Sequence, residues 1–390
     1  MRLLVITQKV DRADPALGFF LEWLRRLSAR TERLIVICLE QGEFELPNNV
    51  TVLSLGKEKM LRLPKLLRRL VYYFRFRRLI RQYQNDYDGV FVHMNPEYVV
   101  LGGWWWRKHQ KKILLWYVHK SVNWWLKQAE KRADKIFTAS PESFRLPSAK
   151  VEVVGHGIPV ELFAAGPEEI ADPHELWLLA VGRISAVKNY EIIFQALIQL
   201  QQVPDFPHLR FTIVGSPITA ADKHYQKYLE EMTNNFELRM SEGAADEFSR
   251  RAAPRAPRVS AATERPSRGR AVGFRSERKD YLEMPSIYHR YHLLIHPSRT
   301  GSADKVVLEA LAAGRYVITS SPAYADAERA GVVWTFPAGD AAALAQTIEK
   351  MWQNGILKPE KLPNQAAIGF VRAHHNLDTV IGKIIDYFEE

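Results

Sequence analysis

The chain of 390 residues contains a single cysteine, Cys38, set inside an apolar run. No internal disulfide can form, and a reducing cytoplasm is the default expectation. Long apolar runs are also missing. A bilayer-spanning helix needs about 20 apolar residues, and the longest candidate, Trp104 to Trp125, is broken by Arg107, Lys108, His109, Lys111 and Lys112. The first residues, Met1-Arg2-Leu3-Leu4-Val5-Ile6-Thr7, carry one basic side chain and a very short apolar stretch. They read as a first strand and not as a signal peptide. No Ser/His/Asp arrangement or carboxylate pair announces a protein nucleophile.

What is present suits two domains. Hydrophobic content is 47% and charged content 25%, ordinary for a globular chain. At this length a single core gives way to domains of roughly 150–200 residues. The formal net charge is +10 and the pI is near 9.5. Such a surface favours an anionic partner: nucleic acid, acidic lipid or a phosphorylated small molecule.

Short β-branched runs alternate with helical patterns. In the first half the predicted strands are Leu3–Thr7, Leu34–Leu39, Thr51–Leu53, Gly89–His93, Ile113–Tyr117, Lys135–Thr138 and Val151–Val154. A second set follows at Leu176–Val181, Leu209–Val214, Leu293–His296, Tyr316–Thr319 and Val332–Trp334. This alternation implies βαβ units and parallel sheets covered by helices. The expected organisation is an α/β chain of two doubly wound domains, 1–160 and 174–372, joined by a linker at 161–173. A last helix, 373–390, is expected to pack back across them.

The stretch 239–279 does not fit that pattern. It has eleven basic residues against five acids and few apolar side chains apart from Ala271-Val272-Gly273-Phe274, which looks strand-like. Three readings stay open: a disordered insertion, an aberrant stretch such as a local frameshift, or a basic nucleic-acid arm. The first is preferred.

Two motifs carry chemistry. Leu178 to Tyr190 runs strand, glycine, basic loop, helix, with Gly182, Arg183 and Lys188 in order. Glycine lets the chain turn tightly off the strand, and the following helix offers free N–H groups and its positive end to an anion. Arg183 supplies a fork of donors and Lys188 a point charge, which suits a diphosphate and its departure without a metal. The plain alternative is a surface loop with two solvated cations. The second motif is His296-Pro297-Ser298-Arg299-Thr300-Gly301-Ser302-Ala303-Asp304, followed by a helix that contains Glu309. Glu309 borders the apolar face formed by Val306, Val307 and Ala310, so its carboxylate needs partners. Vicinal ribose hydroxyls would satisfy it, and so would a structural Arg.

These two motifs resemble the retaining glycosyltransferases of the GT-B fold, specifically glycosyltransferase family four. That family carries G-R-x-x-x-x-K, as at Gly182, Arg183 and Lys188. It also carries an E-x7-E element whose second Glu opens E-A-x-A-x-G, as at Glu309 to Gly314. Phe211-Thr212-Ile213-Val214-Gly215 is similar to its central strand and glycine. The likeness runs over nearly the whole chain, with the paired motifs roughly 120 residues apart. It implies two Rossmann-like domains and a nucleoside-diphosphate sugar as donor. Arg183 and Lys188 would hold the diphosphate, Glu309 the ribose, and Gly215 would approach the nucleotide. Gly301, Ser302, Ala303 and Asp304 would approach the sugar. The first Glu of E-x7-E is replaced here by Gly301, which puts the identity of the sugar in doubt. Asp304 is a candidate substitute carboxylate.

The resemblance also marks the N-terminal half. His119, at the end of Leu115-Trp116-Tyr117-Val118, matches a histidine that reaches the donor sugar near the reacting carbon, and is placed with Arg183 and Lys188 as catalytic. Gly18 matches a glycine facing the cleft; an ordinary turn explains it equally well. Glu97 and His93 lie at another strand end on the acceptor side. Val154-Gly155-His156-Gly157-Ile158 resembles the family's linker motif, with Pro159 in place of its Asp. Asp86-Tyr87-Asp88 superficially resembles the metal motif of the other large glycosyltransferase fold. It precedes a strand instead of ending one, so no obligatory metal or cofactor is expected.

Residues 57–81 mix Arg and Lys with Leu, Tyr and Phe, and Trp104-Trp105-Trp106 and Trp124-Trp125 add further aromatics. This suits an anionic membrane face, and equally a core helix whose polar side is basic. The expected acceptor is a saccharide or lipid-linked molecule in cell-envelope polysaccharide or glycolipid synthesis, met in the cytoplasm or at the inner membrane face. Nucleic acid is the less favoured partner. Rival readings are a catalytically impaired sugar-nucleotide binder and a sugar-nucleotide isomerase on the same scaffold.

Overall fold

The computed structural model describes residues 1–14, 16–60, 64–166, 175–248, 272–275 and 280–390, with the backbone alone for 235–248 and 272–275. The chain divides into two compact units. Unit 1 comprises Met1–Ala164, Arg278–Met284 and Gly369–Glu390; unit 2 comprises Ala165–Glu277 and Pro285–Ile368.

Unit 1 is built on seven parallel strands: β1 (Arg2–Val10), β2 (Arg33–Gln41), β3 (Val50–Ser54), β4 (Gly89–His93), β5 (Lys112–Trp116), β6 (Lys135–Thr138) and β7 (Val151–Val153). Their order in the sheet is β3-β2-β1-β4-β5-β6-β7. The central strands read as continuous apolar runs because helices cover both faces. On one face lies helix Phe20–Ala29, whose Phe20, Leu21, Trp23, Leu24 and Leu27 form a buried stripe at helical spacing. The final helix, Leu377–Glu389, joins it there through Leu377, Val380, Ile381, Ile384 and Ile385. Asn376 caps that helix, its side chain accepting from the Asp378 N–H. Each such side chain contributes roughly 1.5–3 kcal/mol on full burial, so a charge at Ile381 would detach the helix. The opposite face carries helices Lys65–Gln82, Pro96–Lys108 and Trp124–Glu130.

Unit 2 has six parallel strands, β8 (Glu175–Val181), β9 (His208–Val214), β10 (Val272–Arg275), β11 (Leu293–His296), β12 (Tyr316–Thr319) and β13 (Trp334–Thr335). Their order is β10-β9-β8-β11-β12-β13. Successive strands step one way from β8 to β10, then return to the other side of β8. The crevice between β8 and β11 is therefore the topological switch point, where loops at the carboxyl edge part and ligands bind.

Two expectations change. The helix Ala220–Phe248 continues ten residues into the stretch read as an insertion. Met240, Ala244 and Ala245 are good helix formers, and this composition outweighs the lack of an apolar stripe. β10 falls on the strand-like tetrapeptide and pairs with β9 from Val272↔Phe211 onward. Residues 249–271 and 276–279 of that stretch lie outside the described residues. The Trp104-Trp105-Trp106 trio also divides. Trp106 is fully buried, donating from Nε1 to the Tyr87 hydroxyl at 3.2 Å, while Trp104 stands 62% exposed. Consecutive helix residues point 100° apart, so three cannot share a face.

Candidate functional site

The switch point of unit 2 brings both sequence motifs together. β8 ends at Val181 and the chain turns through Gly182, whose φ of 138° suits glycine. Gly215 follows β9 next to it. A Cβ on Gly215 would lie 1.9 Å from the Gly182 carbonyl oxygen, so only a residue without a side chain fits. Neighbouring backbone bonds lock this floor: Gly182 N–H donates to Val214 and Ile184 N–H to Ser216. The short turn Ala186–Lys188 then ends in Asn189, held at φ 57°, in the left-handed region that Asn tolerates better than most.

From the other side, β11 ends at His296 and leads into the loop 297–304. The Arg299 N–H donates to the Val187 carbonyl at 2.9 Å, tying this loop to the first one. Ser321 Oγ donates to the Ser302 carbonyl at 3.0 Å and Tyr324 Oη to the Asp304 carbonyl at 2.5 Å, so loop 297–304 is braced from below as well. Gly301 adopts φ 60°.

Between the two loops sits an ion pair that spacing alone does not reveal. Lys188 Nζ donates to Asp304 Oδ2. The same oxygen lies 2.8 Å from His296 Nε2, and His296 Nδ1 lies 2.8 Å from Thr319 Oγ1 at the end of β12. Burial on its own raises the Asp304 carboxyl, but the His296 hydrogen bond and the charges of His296 and Lys188 outweigh it. The net effect holds Asp304 well below the usual carboxylate range. Asp304 is thus an anion placed where Lys188 waits. Arg183 stays exposed, its Nε 3.4 Å from Ser185 Oγ; burial raises the Asp222 carboxyl, but hydrogen bonds from Thr219 and Ile218, and lastly the Arg183 charge, leave it lowered.

Glu309 is 5% exposed, on helix Lys305–Ala312. Tyr288 Oη donates to its Oε2 at 3.0 Å. Lys305 lies one turn before it on the same helix. Loss of water around that ammonium lowers its pKa, and the Glu309 carboxylate acts in the opposite direction.

Beneath the Gly182 turn lies a group that the sequence motifs did not single out. The Tyr190 hydroxyl is buried and has no hydrogen-bond partner among the described residues. It sits 3.2 Å from where a Gly182 Cβ would be, with Lys188 Nζ 3.9 Å from the same point. Burial, and then the Asp304 charge, raise its pKa. The Asn189 amide is likewise buried with both its polar atoms unpartnered.

The residues expected on the acceptor side all lie at the carboxyl edge of unit 1. Gly18 is buried against the carbonyls of Asp14 and Arg12, which a Cβ would approach to 2.8 and 2.9 Å. Together with Arg12, Glu22, Arg25, Asp280 and Tyr281 it lines a small cavity of about 50 Å³. Glu97 is half-buried in the first turn of helix Pro96–Lys108. His119 is exposed. Its Nδ1 accepts from the Ser121 N–H at 3.0 Å, and its backbone N–H donates to the Ser143 carbonyl at 2.9 Å. His93 is buried, stacked on Phe20 at 4.1 Å, with Nδ1 3.3 Å from Thr7 Oγ1. The structure does not bring Glu97, His93 and His119 into mutual hydrogen bonds among the described residues.

Unit 1 has its own charged cluster at this edge. Lys9, on β1, lies 3.0 Å from Asp11, 3.0 Å from Asp14 and 3.2 Å from Glu40, all well shielded from solvent. Lys57 reaches the second oxygen of Glu40 at 2.7 Å. Asp86 and Asp88, at the opposite edge, pair with Arg33 and Arg2, each at 2.6 Å. Among the described residues no group of three or more His, Cys, Asp or Glu is placed to hold a metal ion.

A doubly wound sheet with a glycine-floored, lysine-bearing loop at its switch point, in a chain with a second such sheet, is the build of a GT-B glycosyltransferase. Comparison with known proteins agrees. Residues 19–162 match the family described as Glycosyltransferase Family 4, and residues 253–354 match Glycosyl transferases group 1. Arg183 and Lys188 fall between the two matched stretches; Asp304 and Glu309 fall within the second. Among solved structures, Anabaena HepE in complex with UDP is similar at 15% identity, covering 100% of both chains with a TM-score of 0.70. Sucrose-phosphate synthase from Thermosynechococcus elongatus is similar at 15% identity, covering 100% of this chain and 98% of that one, with a TM-score of 0.70. The trehalose-6-phosphate synthase OtsA gives 13% identity, 100% and 99% coverage, and a TM-score of 0.71. At such identities these structures speak for the fold. By sequence, no curated protein matches. The chain belongs to the family-four, group-one glycosyltransferases, and it is an enzyme that transfers a sugar.

Proposed function

We propose that the donor's diphosphate docks at the switch point of unit 2, between Arg183 and Lys188, with Glu309 holding the ribose hydroxyls and Gly215 leaving room for the nucleotide. The observation that carries this reading is the Lys188–Asp304 pair: a lysine held ready beyond the end of a glycine-floored strand by a carboxylate shared with His296. An incoming diphosphate offers Lys188 more negative charge than Asp304 does. As the bond between sugar and phosphate breaks, charge builds on the leaving oxygen, and the two cations stabilise it without a metal. That oxygen takes the proton of the acceptor hydroxyl on the same face, so configuration at the sugar carbon is retained. His119 would steady the sugar near the reacting carbon. Backbone groups of Gly301, Ser302 and Ala303 would border it, and Gly18 and Glu97 would lie on the acceptor side.

The acceptor we favour is a saccharide or lipid-linked molecule of cell-envelope polysaccharide or glycolipid synthesis, modified at the inner face of the membrane. Its support is the basic, apolar exterior of unit 1. Among the described residues no helix is long and apolar enough to cross a membrane. The competing reading is a donor binder without turnover, favoured by Gly301 in place of a glutamate. Titration calorimetry with UDP, GDP, ADP and their sugars decides the donor, and UDP-glucose is the first to try because HepE was also solved with it. The expected result is binding that Lys188→Ala weakens. Absence of binding to the whole panel would refute the reading, and binding without transfer to any acceptor would favour the competitor.

A further inference from the structure

We propose that the first half of helix Lys65–Gln82 docks on an anionic bilayer and holds the carboxyl edge of unit 1 against the membrane that carries the acceptor. This rests on the proposed function in one respect, that the acceptor has a lipid anchor.

The helix buries only Phe76 and Ile80, both in its second half. In its first half Leu66 is 71% exposed, Phe74 65%, Leu67 50% and Leu70 47%. Large apolar side chains this exposed and this contiguous mark a surface that meets something apolar. The second half explains why the first is bare. Phe76 packs on Tyr98 at 4.9 Å, and Arg81 lies over Trp105 at 5.0 Å. The helix therefore runs parallel to Pro96–Lys108, and residues 65–74, about 15 Å of helix, extend beyond its neighbour's start. Helices that follow parallel strands begin at the carboxyl edge, so this overhang lies at the same edge as Glu97 and His119.

Charge identifies the partner. The eighteen residues of the helix contain seven Lys or Arg and no Asp or Glu. Cations alternating with Leu, Val and Phe suit a helix lying in the plane of an anionic headgroup layer, with apolar side chains sunk to the acyl boundary. A second copy docking through the same face would set seven cations against seven. Trp124, 59% exposed, opens helix Trp124–Glu130 at the same edge and supplies an interfacial aromatic. Trp104 is near the far end of its helix and is not part of this surface. The expectation from sequence, of 57–81 with both Trp clusters, thus narrows to 65–74 and Trp124.

The test is flotation of the full chain with phosphatidylcholine vesicles, with and without phosphatidylglycerol. The wild type should float with the anionic vesicles only. The variant Leu66→Ser/Leu70→Ser/Phe74→Ser should bind about ten-fold less, and so should Lys65→Gln/Arg69→Gln. These side chains are exposed, so calorimetric binding of UDP-glucose should be unchanged in both variants. Equal binding to neutral and anionic vesicles overturns the proposal, as does binding that the serine variant retains. A dimer seen by light scattering that the serine variant dissolves, with no vesicle binding, overturns it in favour of a second copy. If vesicle binding behaves as expected but no nucleotide sugar binds, the docking surface stands and the functional reading of the switch point falls.

Discussion

Each unit presents a lysine at the carboxyl edge beside its first strand, and the two are treated differently. Lys9 is ringed by three carboxylates. Burial lowers its pKa, but hydrogen bonds to Asp14, Asp11 and Glu40 outweigh it and leave the ammonium more tightly protonated than usual. Such a lysine has nothing to offer a ligand: drawing it away would leave acids facing one another. Among the described residues Lys188 has a single carboxylate, and His296 shares it. A diphosphate can take Lys188 while His296 keeps Asp304 satisfied. The same residue type at equivalent places in two sheets is a strut in one unit and a hand in the other, and the number of carboxylates around it decides which.

The largest effect that bears on this contrast is expected at Lys9. Lys9→Met removes the cation from three shielded carboxylates, and breaking a buried pair in this way costs about 3–5 kcal/mol. Circular dichroism melts should show a clear loss of stability, with donor affinity by calorimetry unchanged. The cluster also sets an acid limit. Burial raises Asp14 and Glu40, but hydrogen bonds from Lys9, from Lys57 to Glu40 and from backbone N–H groups to Asp14 leave both below their usual values. Carboxylates depressed in the folded state stabilise it fully above their unfolded pKa near 4, and that stability is lost as pH falls through and below this value. The wild type should lose melting temperature steeply below about pH 4, and Lys9→Met should lose less of it over the same range.

Next in size is Lys188→Ala. A charge-assisted hydrogen bond contributes about 1.5–3 kcal/mol, so UDP or UDP-glucose should bind roughly ten- to hundred-fold more weakly, with a much smaller change in melting temperature than at Lys9. A smaller effect, of opposite sign, is expected from Asp304→Asn. Releasing Lys188 should tighten UDP binding by about three-fold, a shift of well under 1.4 kcal/mol. If Asp304 also replaces the carboxylate missing at Gly301, turnover will fall while UDP affinity does not. The smallest change is expected at Tyr190→Phe. A hydroxyl without a partner contributes little to stability, so the melting temperature should stay within about two degrees. A selective loss of donor affinity in that variant would instead place the hydroxyl on the ligand.

The strands were legible because a parallel sheet covered on both faces writes itself as apolar runs. Gly89–His93, Lys135–Thr138, Leu293–His296 and Tyr316–Thr319 have the same limits in sequence and structure. The two halves of the switch-point site were legible as local turns, each marked by a glycine after a strand. Their junction was not: His296, Thr319 and Asp304 meet Lys188 across three strands, and no local spacing encodes that meeting. A histidine closing a strand just before Pro297-Ser298 was the available signal. The Lys9 cluster was hidden for the same reason, since Glu40 comes from the next strand. The bare first half of helix Lys65–Gln82 was misleading in another way. Its composition reads as amphipathic, yet no stripe is buried there, because the neighbour it would pack on starts further along.

The helix Leu377–Glu389 also bears on how the chain is made. Its apolar stripe completes the core of unit 1, whose other side chains come from the first 160 or so residues. Roughly 200 residues of intervening chain, nearly all of unit 2, leave the ribosome before it does. At typical synthesis rates that interval is on the order of 10–40 seconds. During it the part of the unit 1 core that this helix completes stays open, and unit 2 can begin to fold although it is encoded second. Unit 1 therefore cannot complete its core until unit 2 has been synthesised, an interval in which a chaperone has time to meet the open face.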